Sequence, residues 1–448
     1  MAANKNSEFY SVAANKIVSL RGDKSLRKMD RKEVFKQVII ENQEYILGVE
    51  LYERPFELEQ EGCYVLVGVR QAGKSYLLYQ TIQHLMTSGV SVNEIVYVNF
   101  DDERLCDMRA GELDVVLQAY HELYDNAKPL LFFDEIQNID GWEHFARRLA
   151  NQKYRVFITG SNAKMLSRDI ATTLGGRYLT CLVYPYDFRE FVEAQGVKVG
   201  KNWVYSKQKS AIKKLFASYF AFGGFPELVR FRDKRAWLNN IYGKIFFSDL
   251  VVRNNVKNEE ALRMCVHRLA DSVKQPLSYN RLANLLKSVG VKVSVSTIID
   301  YIRYLKEGCL IFSIENYASK FVEKESVKKH YFVDNGLLNI FLTDAETSLL
   351  ENLCAIHLYK QYADELYFYN RNIEVDFFLP REAVAIQVAY SLSDIATEAR
   401  EVQAMLKLDK LHTLKRLLII TRDEEKTIML NDGRCVEVKS VWKWLLGE

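Results

Sequence analysis

The 448-residue chain has few of the features that mark membrane, secreted or linker-rich proteins. It contains six prolines, and no low-complexity segment or internal repeat is visible, so boundaries between domains must be inferred from changes of pattern. No apolar run approaches the roughly 18 residues that a membrane-spanning helix needs. The first residues also lack the apolar segment of a signal peptide. We therefore expect a cytoplasmic protein that makes no contact with membranes.

Cysteine, histidine and net charge exclude further classes. The seven cysteines are scattered, odd in number and never spaced as C-x-x-C, which is typical of reduced core residues rather than disulfides. The seven histidines show no metal-ligand spacing. A net charge of +3 gives no reason to expect nucleic acid or lipid as a bulk electrostatic partner. With 48% hydrophobic and 27% charged residues, the composition is that of an ordinary globular protein.

The stretch Gly68–Ser75 fits G-x-x-x-x-G-K-[ST], the phosphate-binding P-loop. It follows an apolar run that indicates a buried strand and precedes a run that indicates a helix. In that context backbone N–H groups and the helix N-terminus converge on one anion. We expect Lys74 to reach the β- and γ-phosphates of ATP, and Ser75 to bind Mg²⁺. The predicted nucleotide-binding residues are Gly68, Val69, Arg70, Gln71, Ala72, Gly73, Lys74, Ser75 and Tyr76.

A second motif lies about 60 residues further on. The apolar run Leu130–Phe133 ends in the two carboxylates Asp134 and Glu135. A carboxylate at the carboxyl end of a strand can hold hydrated Mg²⁺, and the residue after it can face the attacking water. We therefore assign Asp134 to the metal and Glu135 to the polarisation of water. Alone, two such acids would be an ordinary solvated turn; their distance from the P-loop favours function.

Changes of pattern along the chain predict its organisation. Strands near 63–68, 95–100, 130–134, 155–160 and 178–184 alternate with helices, which predicts a parallel sheet covered on both faces. Two short helices and two strands then predict a winged helix, and a mixed run predicts a small α/β domain. The predicted segments are a helical N-terminal extension (1–55), a P-loop ATPase core (56–190), a helical lid region (191–270), the winged helix (271–340) and the C-terminal domain (341–448).

Several motifs together resemble the prokaryotic predicted ATPases of the AAA+ superfamily, which join a P-loop domain, a winged helix and a domain related to PD-(D/E)XK nucleases. The resemblance covers residues 55 to 445 and is specific for architecture. It implies an α/β fold, with a P-loop NTPase sheet of AAA+ type followed by the winged helix and the nuclease-like domain. Its motifs are Gly68–Ser75, Asp134–Asn138 with Gly141-Trp142, Ile158–Asn162, Leu174–Arg177, Gly223–Glu227, Tyr331–Gly336 and Glu374–Asp376.

The resemblance implies two further catalytic elements. Ser161 or Asn162, at the tip of the fourth strand, resembles the sensor that reads the γ-phosphate beside Glu135; otherwise they cap a strand-end turn. Arg177, in Gly175-Gly176-Arg177, resembles an arginine finger, which acts in cis or from a neighbouring subunit of a homo-oligomer. Otherwise Arg177 is a surface arginine in a glycine turn, and Arg70 competes for its role.

The C-terminal domain departs from the nuclease pattern. Asp376 is present beside Glu374, and Glu351 on the preceding helix is a further candidate metal ligand. The next strand, however, carries Gln387 and Ala389 where a nuclease needs an acid and a lysine. Unless Lys407 has taken over the lysine's role, we expect no nuclease activity.

The winged helix is either a DNA reader or a protein–protein module. Its second helix would expose Ser294, Ser296, Thr297, Asp300 and Arg303 to a major groove. Phosphate contacts from the wing are expected from Lys320, Lys324, Lys328 and Lys329.

The sequence thus predicts an enzyme that hydrolyses ATP to ADP and phosphate with Mg²⁺ and uses the nucleotide state to rearrange its C-terminal domains or an unidentified protein partner. Two alternatives remain open. One is an ATP-gated enzyme that binds or cleaves DNA in defence or mobile-element control. The other is a slow nucleotide-dependent assembly switch.

Overall fold

A computed structural model describes residues 30–56, 58–59, 61–125, 128–166 and 168–448. The first described element is helix α1 (Arg31–Gly48), which begins at an Asp30 side chain that accepts from the Lys32 amide and packs through Phe35, Val38 and Ile39. Residues 1–29 of the predicted N-terminal extension lie outside the described residues. Within the described part of the chain, no helix is both long and apolar enough to span a bilayer.

The first layer of the fold is a five-stranded parallel sheet. Its strands are β1 (Cys63–Val67), β2 (Ile95–Asn99), β3 (Leu130–Asp134), β4 (Val156–Gly160) and β5 (Tyr178–Leu182), in the spatial order β2–β3–β4–β1–β5. The predicted P-loop sheet is confirmed. Strands β1 and β4 are buried at every residue, because helices cover both faces. Those helices are α2 (Lys74–Thr87), α3 (Asp114–Leu123), α4 (Trp142–Asn151) and α5 (Arg168–Leu174).

The order of strands positions the candidate site. Strand β4 lies between β1, which leads into Gly68–Ser75, and β3, which ends at Asp134. Carboxyl ends of parallel strands meet at one edge of a sheet, where such folds bind ligands. The P-loop, the acidic pair and the residues after β4 therefore share one edge.

A helical region follows the parallel sheet. It contains α6 (Phe188–Glu193), α7 (Gln208–Phe222), α8 (Lys234–Lys244) and α9 (Glu259–Asp271). Between α8 and α9 the chain forms a π-helix, Ile245–Val252, which the sequence pattern did not predict. π-Helical turns are rare and are often found at functional sites.

The predicted helix–turn–helix and hairpin are followed by a sheet that is larger than expected. Helices α10 (Tyr279–Ser288) and α11 (Val295–Glu307) precede the strand pair β7 (Ile311–Asn316) and β8 (Val327–Phe332), and the short β6 (Leu277–Ser278) pairs with β8. Ser294 caps α11, since its hydroxyl accepts from the Thr297 amide at 3.1 Å. A short helix, α12 (Phe321–Ser326), lies where the sequence predicts the loop of the wing.

The C-terminal strands continue the same sheet. Strands β9 (Tyr367–Asn370), β10 (Glu374–Leu379), β11 (Val384–Val388), β12 (Arg416–Thr421), β13 (Lys426–Met429) and β14 (Cys435–Ser440) join β6–β8 in the order β13–β14–β12–β11–β10–β9–β7–β8–β6. The junction is the parallel pairing of β7 with β9, in register at Glu315 and Tyr367. One sheet thus crosses the predicted boundary at residue 340. The remaining helices are α13 (Asn335–Asn339), α14 (Glu346–Tyr362), α15 (Ile395–His412) and α16 (Val441–Trp444).

A buried turn connects this sheet to the helical region. The Asp334 carboxylate, just after β8, accepts from the amides of Gly224 and Gly336, both at 2.8 Å. A Cβ atom on Gly223 would lie 2.0 Å from that carboxylate, and one on Gly336 would lie 2.1 Å from the Phe222 carbonyl oxygen. Burial raises the pKa of Asp334 to about 6, against the opposing effect of the amide donors. Two of the motifs singled out in the sequence therefore contact each other directly.

Candidate nucleotide site

The backbone of Gly68–Ser75 forms a cradle that depends on its glycines. A Cβ atom on Gly68 would lie 2.0 Å from the Val183 carbonyl oxygen, so only glycine fits beside β5. Gly73 has φ of 94° and Gln71 has φ of 59°, both in the left-handed region, and helix α2 begins immediately afterwards at Lys74. A left-handed turn of this kind directly before a helix start is typical of loops whose successive amides face one phosphate group.

Lys74 is buried and lies at the centre of the cradle. Its Nζ donates to the carbonyl oxygens of Gly68 and Val69, each at 3.1 Å, and lies 3.7 Å from the Glu135 carboxylate. Arg54 also supports the loop, because its guanidinium donates to the Ala72 carbonyl oxygen at 3.2 Å and forms an ion pair with Glu190. The loop is thus held in shape by the protein's own contacts.

Asp134 is fully buried at the end of β3 and is held by hydroxyl groups. The Tyr97 hydroxyl donates to one carboxylate oxygen at 2.6 Å, and the Thr159 hydroxyl donates to the other. Burial raises the pKa of Asp134, and the neighbouring charge of Glu135 adds to this, while hydrogen bonds from Ser75, Thr159 and Tyr97 oppose it. The predicted metal ligands Ser75 and Asp134 are therefore in contact with each other.

Glu135 has a strained backbone and a carboxylate directed at the cradle. Its φ of 52° and ψ of 37° are left-handed, which is uncommon outside glycine and frequent where function holds a residue in place. Its amide donates to the Thr159 hydroxyl at 3.1 Å, and its carboxylate accepts from the Gln137 amide group. Burial raises the pKa of Glu135, but Lys74, Gln137 and Arg70 outweigh that effect, so the net pKa is lowered.

Polar residues that follow the fourth strand, β4, lie at the same edge of the sheet. Ser161 and Asn162 are both buried, and the Gln137 side chain lies 3.4 Å from the Ser161 hydroxyl while it also contacts Glu135. Of the two predicted sensor residues, Ser161 therefore lies beside Glu135, and Gln137 contacts both. Sequence reasoning missed Gln137, Thr159 and Tyr97; the D-E-x-Q spacing was the only signal, and it pointed only to Gln137.

A cavity of about 520 Å³ opens in front of these residues. Its volume is typical of pockets that hold small molecules. Lys74, Ser75, Asp134 and Glu135 line it. The opposite wall comes from the helical region, and its residues include Pro226, Glu227, Val229, Arg230, Phe231, Ile241 and Lys244. The segment after Gly223-Gly224 thus faces the cradle, and Tyr76 lines the mouth with an exposed ring.

The two candidate arginines differ in placement. Arg177 is exposed after Gly175 and Gly176, whose φ values are 68° and 65°, and it forms no ion pair with any described residue. Arg70 lines the cavity and forms a bidentate ion pair with Asp249 of the π-helix. Arg70 therefore faces the nucleotide cavity of its own chain.

In the predicted nuclease-like region, a lysine lies between the acids. Lys329 of β8 is fully buried, and its Nζ lies 3.1 Å from both Glu351 and Asp376. The Tyr331 hydroxyl also donates to Glu351, at 2.8 Å. Burial raises the pKa of Glu351 to about 7, although Lys329 lowers it. An ammonium group thus occupies the position between the carboxylates that a divalent cation would require.

The other nuclease-like positions do not fit a metal site either. The Gln387 side chain accepts from the Asp376 amide at 2.9 Å and donates to the Glu374 carbonyl oxygen at 3.0 Å, so it bridges two strands. Ala389 is buried, and Lys407 is exposed on α15 without an ion pair to a described residue. Among the described residues, no group of three metal-ligating side chains could hold a cation.

One of the predicted phosphate contacts, from Lys329, is wrong. Lys329 is buried between carboxylates, as described above. Lys328 pairs with Glu315 at 3.0 Å and Glu325 at 3.7 Å, so its charge is also compensated. Arg303 of α11 pairs with Asp300 at 2.8 Å. Lys328 lies opposite Glu315 in the antiparallel pair of β7 and β8, and the next residue, Lys329, points to the buried face.

Comparisons with known proteins agree with this geometry. Residues 60–192 match the model of an AAA domain, and residues 213–348 match a domain of unknown function. An uncharacterized protein of Methanocaldococcus jannaschii is 33% identical over 439 residues, covering 93% of this chain and 96% of its own. An uncharacterized protein of Haemophilus influenzae is 30% identical over 396 residues, covering 85% and 94%.

Solved structures are more distant. A Walker-type ATPase of Pyrococcus abyssi is 14% identical with a TM-score of 0.40, covering 70% of this chain and 95% of its own. The Orc1 protein of Aeropyrum pernix, solved in complex with DNA, is 14% identical with a TM-score of 0.29, covering 73% and 94%. Likenesses at these scores carry no argument about function. The match to the AAA domain and the two relatives show the family: the chain belongs with these relatives to a family of AAA+ P-loop ATPases with a C-terminal region of unknown function.

Proposed function

We propose that the chain binds ATP with Mg²⁺ and hydrolyses it to ADP and phosphate. One observation carries the proposal: Lys74, Ser75, Asp134 and Glu135 line a single cavity at the carboxyl edge of the parallel sheet. No other arrangement of the described residues brings a phosphate cradle, a buried lysine and two carboxylates together.

Each residue has a separate task in the proposed reaction. The amides of Gly68–Ser75 and the Lys74 ammonium bind the phosphates. Ser75 and Asp134 would hold Mg²⁺, which neutralises charge on the phosphate oxygens when it is bound. Glu135 orients the attacking water through its carboxylate, and Ser161 or Asn162 reads the γ-phosphate. The tyrosine and threonine hydroxyls on Asp134 keep its carboxylate in one orientation.

Two measurements test the proposal directly. Calorimetry with ATP and Mg²⁺ measures binding, and release of inorganic phosphate measures turnover, with Lys74→Ala as the variant expected to lose both. If Lys74→Ala bound ATP with unchanged affinity, the cradle at Gly68–Ser75 would not be the nucleotide-binding site. Single-turnover hydrolysis separates an enzyme from the slow assembly switch, and the rate with and without DNA separates a DNA partner from a protein partner.

The proposed consequence of hydrolysis is movement of the C-terminal region. The cavity wall at Pro226–Arg230 begins two residues after Gly224, whose amide donates to Asp334 just after β8. A shift of this wall with nucleotide state therefore pulls on the segment that leads from the predicted winged helix into the nuclease-like domain. This supports coupling of the nucleotide to both.

For the nuclease-like domain we propose a structural role without cleavage. Purified protein incubated with duplex or single-stranded DNA and either Mg²⁺ or Mn²⁺ should leave the DNA intact, because Lys329 and Gln387 occupy the positions that a metal site needs. Gel electrophoresis of labelled DNA checks this result. Cleavage that disappears in Asp376→Ala, but persists in the matched surface variant Asp364→Ala, would contradict it.

For Arg177 we propose a role as an arginine finger supplied to a neighbouring subunit of a homo-oligomer, consistent with its exposed position. Arg177→Ala should lower turnover by at least about tenfold, since such fingers stabilise charge on the transferred phosphoryl group. Mixing it with Lys74→Ala subunits should restore part of the activity, because mixed interfaces then contain one intact cradle and one intact Arg177. Phosphate release across a series of mixing ratios, together with the mass in solution, gives the measurement. Absence of recovery at every ratio would count against action in trans.

A further inference from the structure

Arg70 and Asp249 form the closest ionic link between the P-loop and the helical region. The Arg70 Nε lies 2.6 Å from one Asp249 oxygen, and its Nη2 lies 3.1 Å from the other. Asp249 is 2% exposed and Arg70 is 13% exposed, so the pair is largely removed from water. A bidentate arginine–carboxylate pair of this kind is among the stronger polar contacts in proteins.

Asp249 belongs to the π-helix and also binds a second arginine. The Arg253 Nη2 lies 3.1 Å from the Asp249 carboxylate. The Arg253 Nη1 is buried and has no hydrogen-bond partner. Two guanidinium groups therefore share one carboxylate, and one donor group next to it is left unsatisfied. A buried donor without a partner is unfavourable, so a closer approach of Asp249 to Arg253 would be stabilising.

Arg70 also faces the cavity that we assign to the nucleotide. It lines that cavity with Lys74 and Glu135, and its guanidinium lies 3.9 Å from Asp101 at the same mouth. Phosphate oxygens accept from a guanidinium in the same two-pronged way as a carboxylate does. A triphosphate in the cradle would thus compete with Asp249 for Arg70.

We propose that Asp249 holds Arg70 when no triphosphate is bound, and that Arg70 exchanges this carboxylate for the terminal phosphate when a triphosphate binds. The inference rests on the proposed nucleotide site and names the residue that would report its occupancy. The exchange leaves Asp249 paired with Arg253 rather than alone. This matters, because a buried carboxylate without a partner is strongly unfavourable and would prevent the exchange.

The residue after Asp249 connects the proposed change of partners to the predicted winged helix. Leu250 follows Asp249 and is fully buried. A Cβ atom on Gly308, at the end of α11, would lie 2.7 Å from the Leu250 side chain, so these two segments are in close contact. Release of Asp249 from Arg70 therefore acts on the end of the second helix of the helix–turn–helix.

The affinities for ATP and ADP in three variants test this inference. In Asp249→Asn, ATP should bind at least about fivefold more tightly than in the natural protein, because Arg70 no longer has to leave a charged partner. The affinity for ADP, which lacks the terminal phosphate, should change less than about twofold. In Arg70→Ala the preference for ATP over ADP should be lost. The matched control is Asp271→Asn, which removes an exposed carboxylate at the end of α9 and should leave both affinities unchanged.

Hydrogen exchange of residues 245–256 provides a second readout that does not depend on turnover. A hydrolysis-resistant ATP analogue should change exchange in this segment in the natural protein and leave it unchanged in Arg70→Ala. Equal shifts of the ATP and ADP affinities in Asp249→Asn would overturn the proposal that Arg70 changes partners. So would an Arg70→Ala variant that keeps the natural preference for ATP over ADP and the natural hydrogen-exchange response. If the natural protein binds neither nucleotide, the proposed nucleotide site itself fails, and that result is separate from the outcome of the variants.

Discussion

Glu135→Gln should bind ATP as tightly as the natural protein and hydrolyse it about 10²–10⁴-fold more slowly, the range expected when a residue that assists proton transfer is lost. Glutamine keeps the shape of the side chain and an oxygen that can accept from Gln137. It cannot carry the negative charge that the surrounding residues favour. The lowered pKa of Glu135, held down by Lys74, Gln137 and Arg70 against burial, means that the natural side chain is ionised at neutral pH.

The measurement is phosphate release under saturating ATP and Mg²⁺, with binding followed separately by calorimetry. The matched control is Glu103→Gln, an exposed glutamate of the same domain, which should retain the natural rate. Because the natural carboxylate stays ionised, we expect no loss of its contribution between about pH 6 and pH 8. A rate in Glu135→Gln within about twofold of the natural rate would remove this residue from the mechanism.

Lys329→Met should destabilise the C-terminal sheet more than any surface substitution. Removal of one partner from a buried ion pair costs about 3–5 kcal/mol, because the remaining charge is left without compensation. Here two carboxylates are affected, since the lysine Nζ lies 3.1 Å from both Glu351 and Asp376. Methionine has a similar length, so the loss of charge outweighs the loss of packing. Urea unfolding followed by tryptophan fluorescence, with Trp442 and Trp444 in the same region, measures the change.

The pH dependence of that loss has a definite sign. Without Lys329, the pKa of Glu351 rises above its present value of about 7, so the folded variant retains a proton that the unfolded chain releases. A raised folded-state pKa contributes stability that is present at low pH and is lost as the pH rises through that pKa. The deficit relative to the natural protein should therefore be smaller near about pH 5 than near about pH 8.

The comparison variant is Lys324→Met, whose lysine is partly buried and lies over the rings of Tyr317 and Tyr367. It should cost less than about 1 kcal/mol, because a charge that keeps contact with water contributes little to stability. If Lys329→Met cost no more than Lys324→Met, Lys329 would not be needed to balance the charges of Glu351 and Asp376. The position between these carboxylates would then remain open to a cation.

The parts of the molecule that the sequence predicts are those in which a short segment determines its own structure. Gly68–Ser75 could be recognised because a tight turn, a helix start and a lysine fall within eight consecutive residues. Strands β1–β4 were placed within a residue or so because each is a short apolar run between turns. The start of α11 after Ser294 is predictable for the same local reason.

The missed residues depend on partners far away in the sequence. Tyr97 contacts Asp134 across 37 positions, and Arg70 contacts Asp249 across 179. In a single sequence, Tyr97 is another aromatic residue of a buried strand, and Asp249 is a polar residue in an apolar run. Lys329 illustrates the same limit, because its cluster Lys328-Lys329 suggested a solvated wing and only the pairing of β7 with β8 turns Lys329 inward. No local pattern encodes which lysine of such a pair faces the core.

The continuous sheet from β6 to β13 has a mechanical consequence. Since β7 is hydrogen-bonded to β9, the helix–turn–helix and the outermost strands cannot be displaced separately without breaking that pairing. A displacement of the β7–β8 hairpin is therefore expected to be passed through β9 to the strands beyond it. A fluorescent probe on the exposed Met429 of β13 should consequently report a displacement of that hairpin, although it lies six strands away from β7.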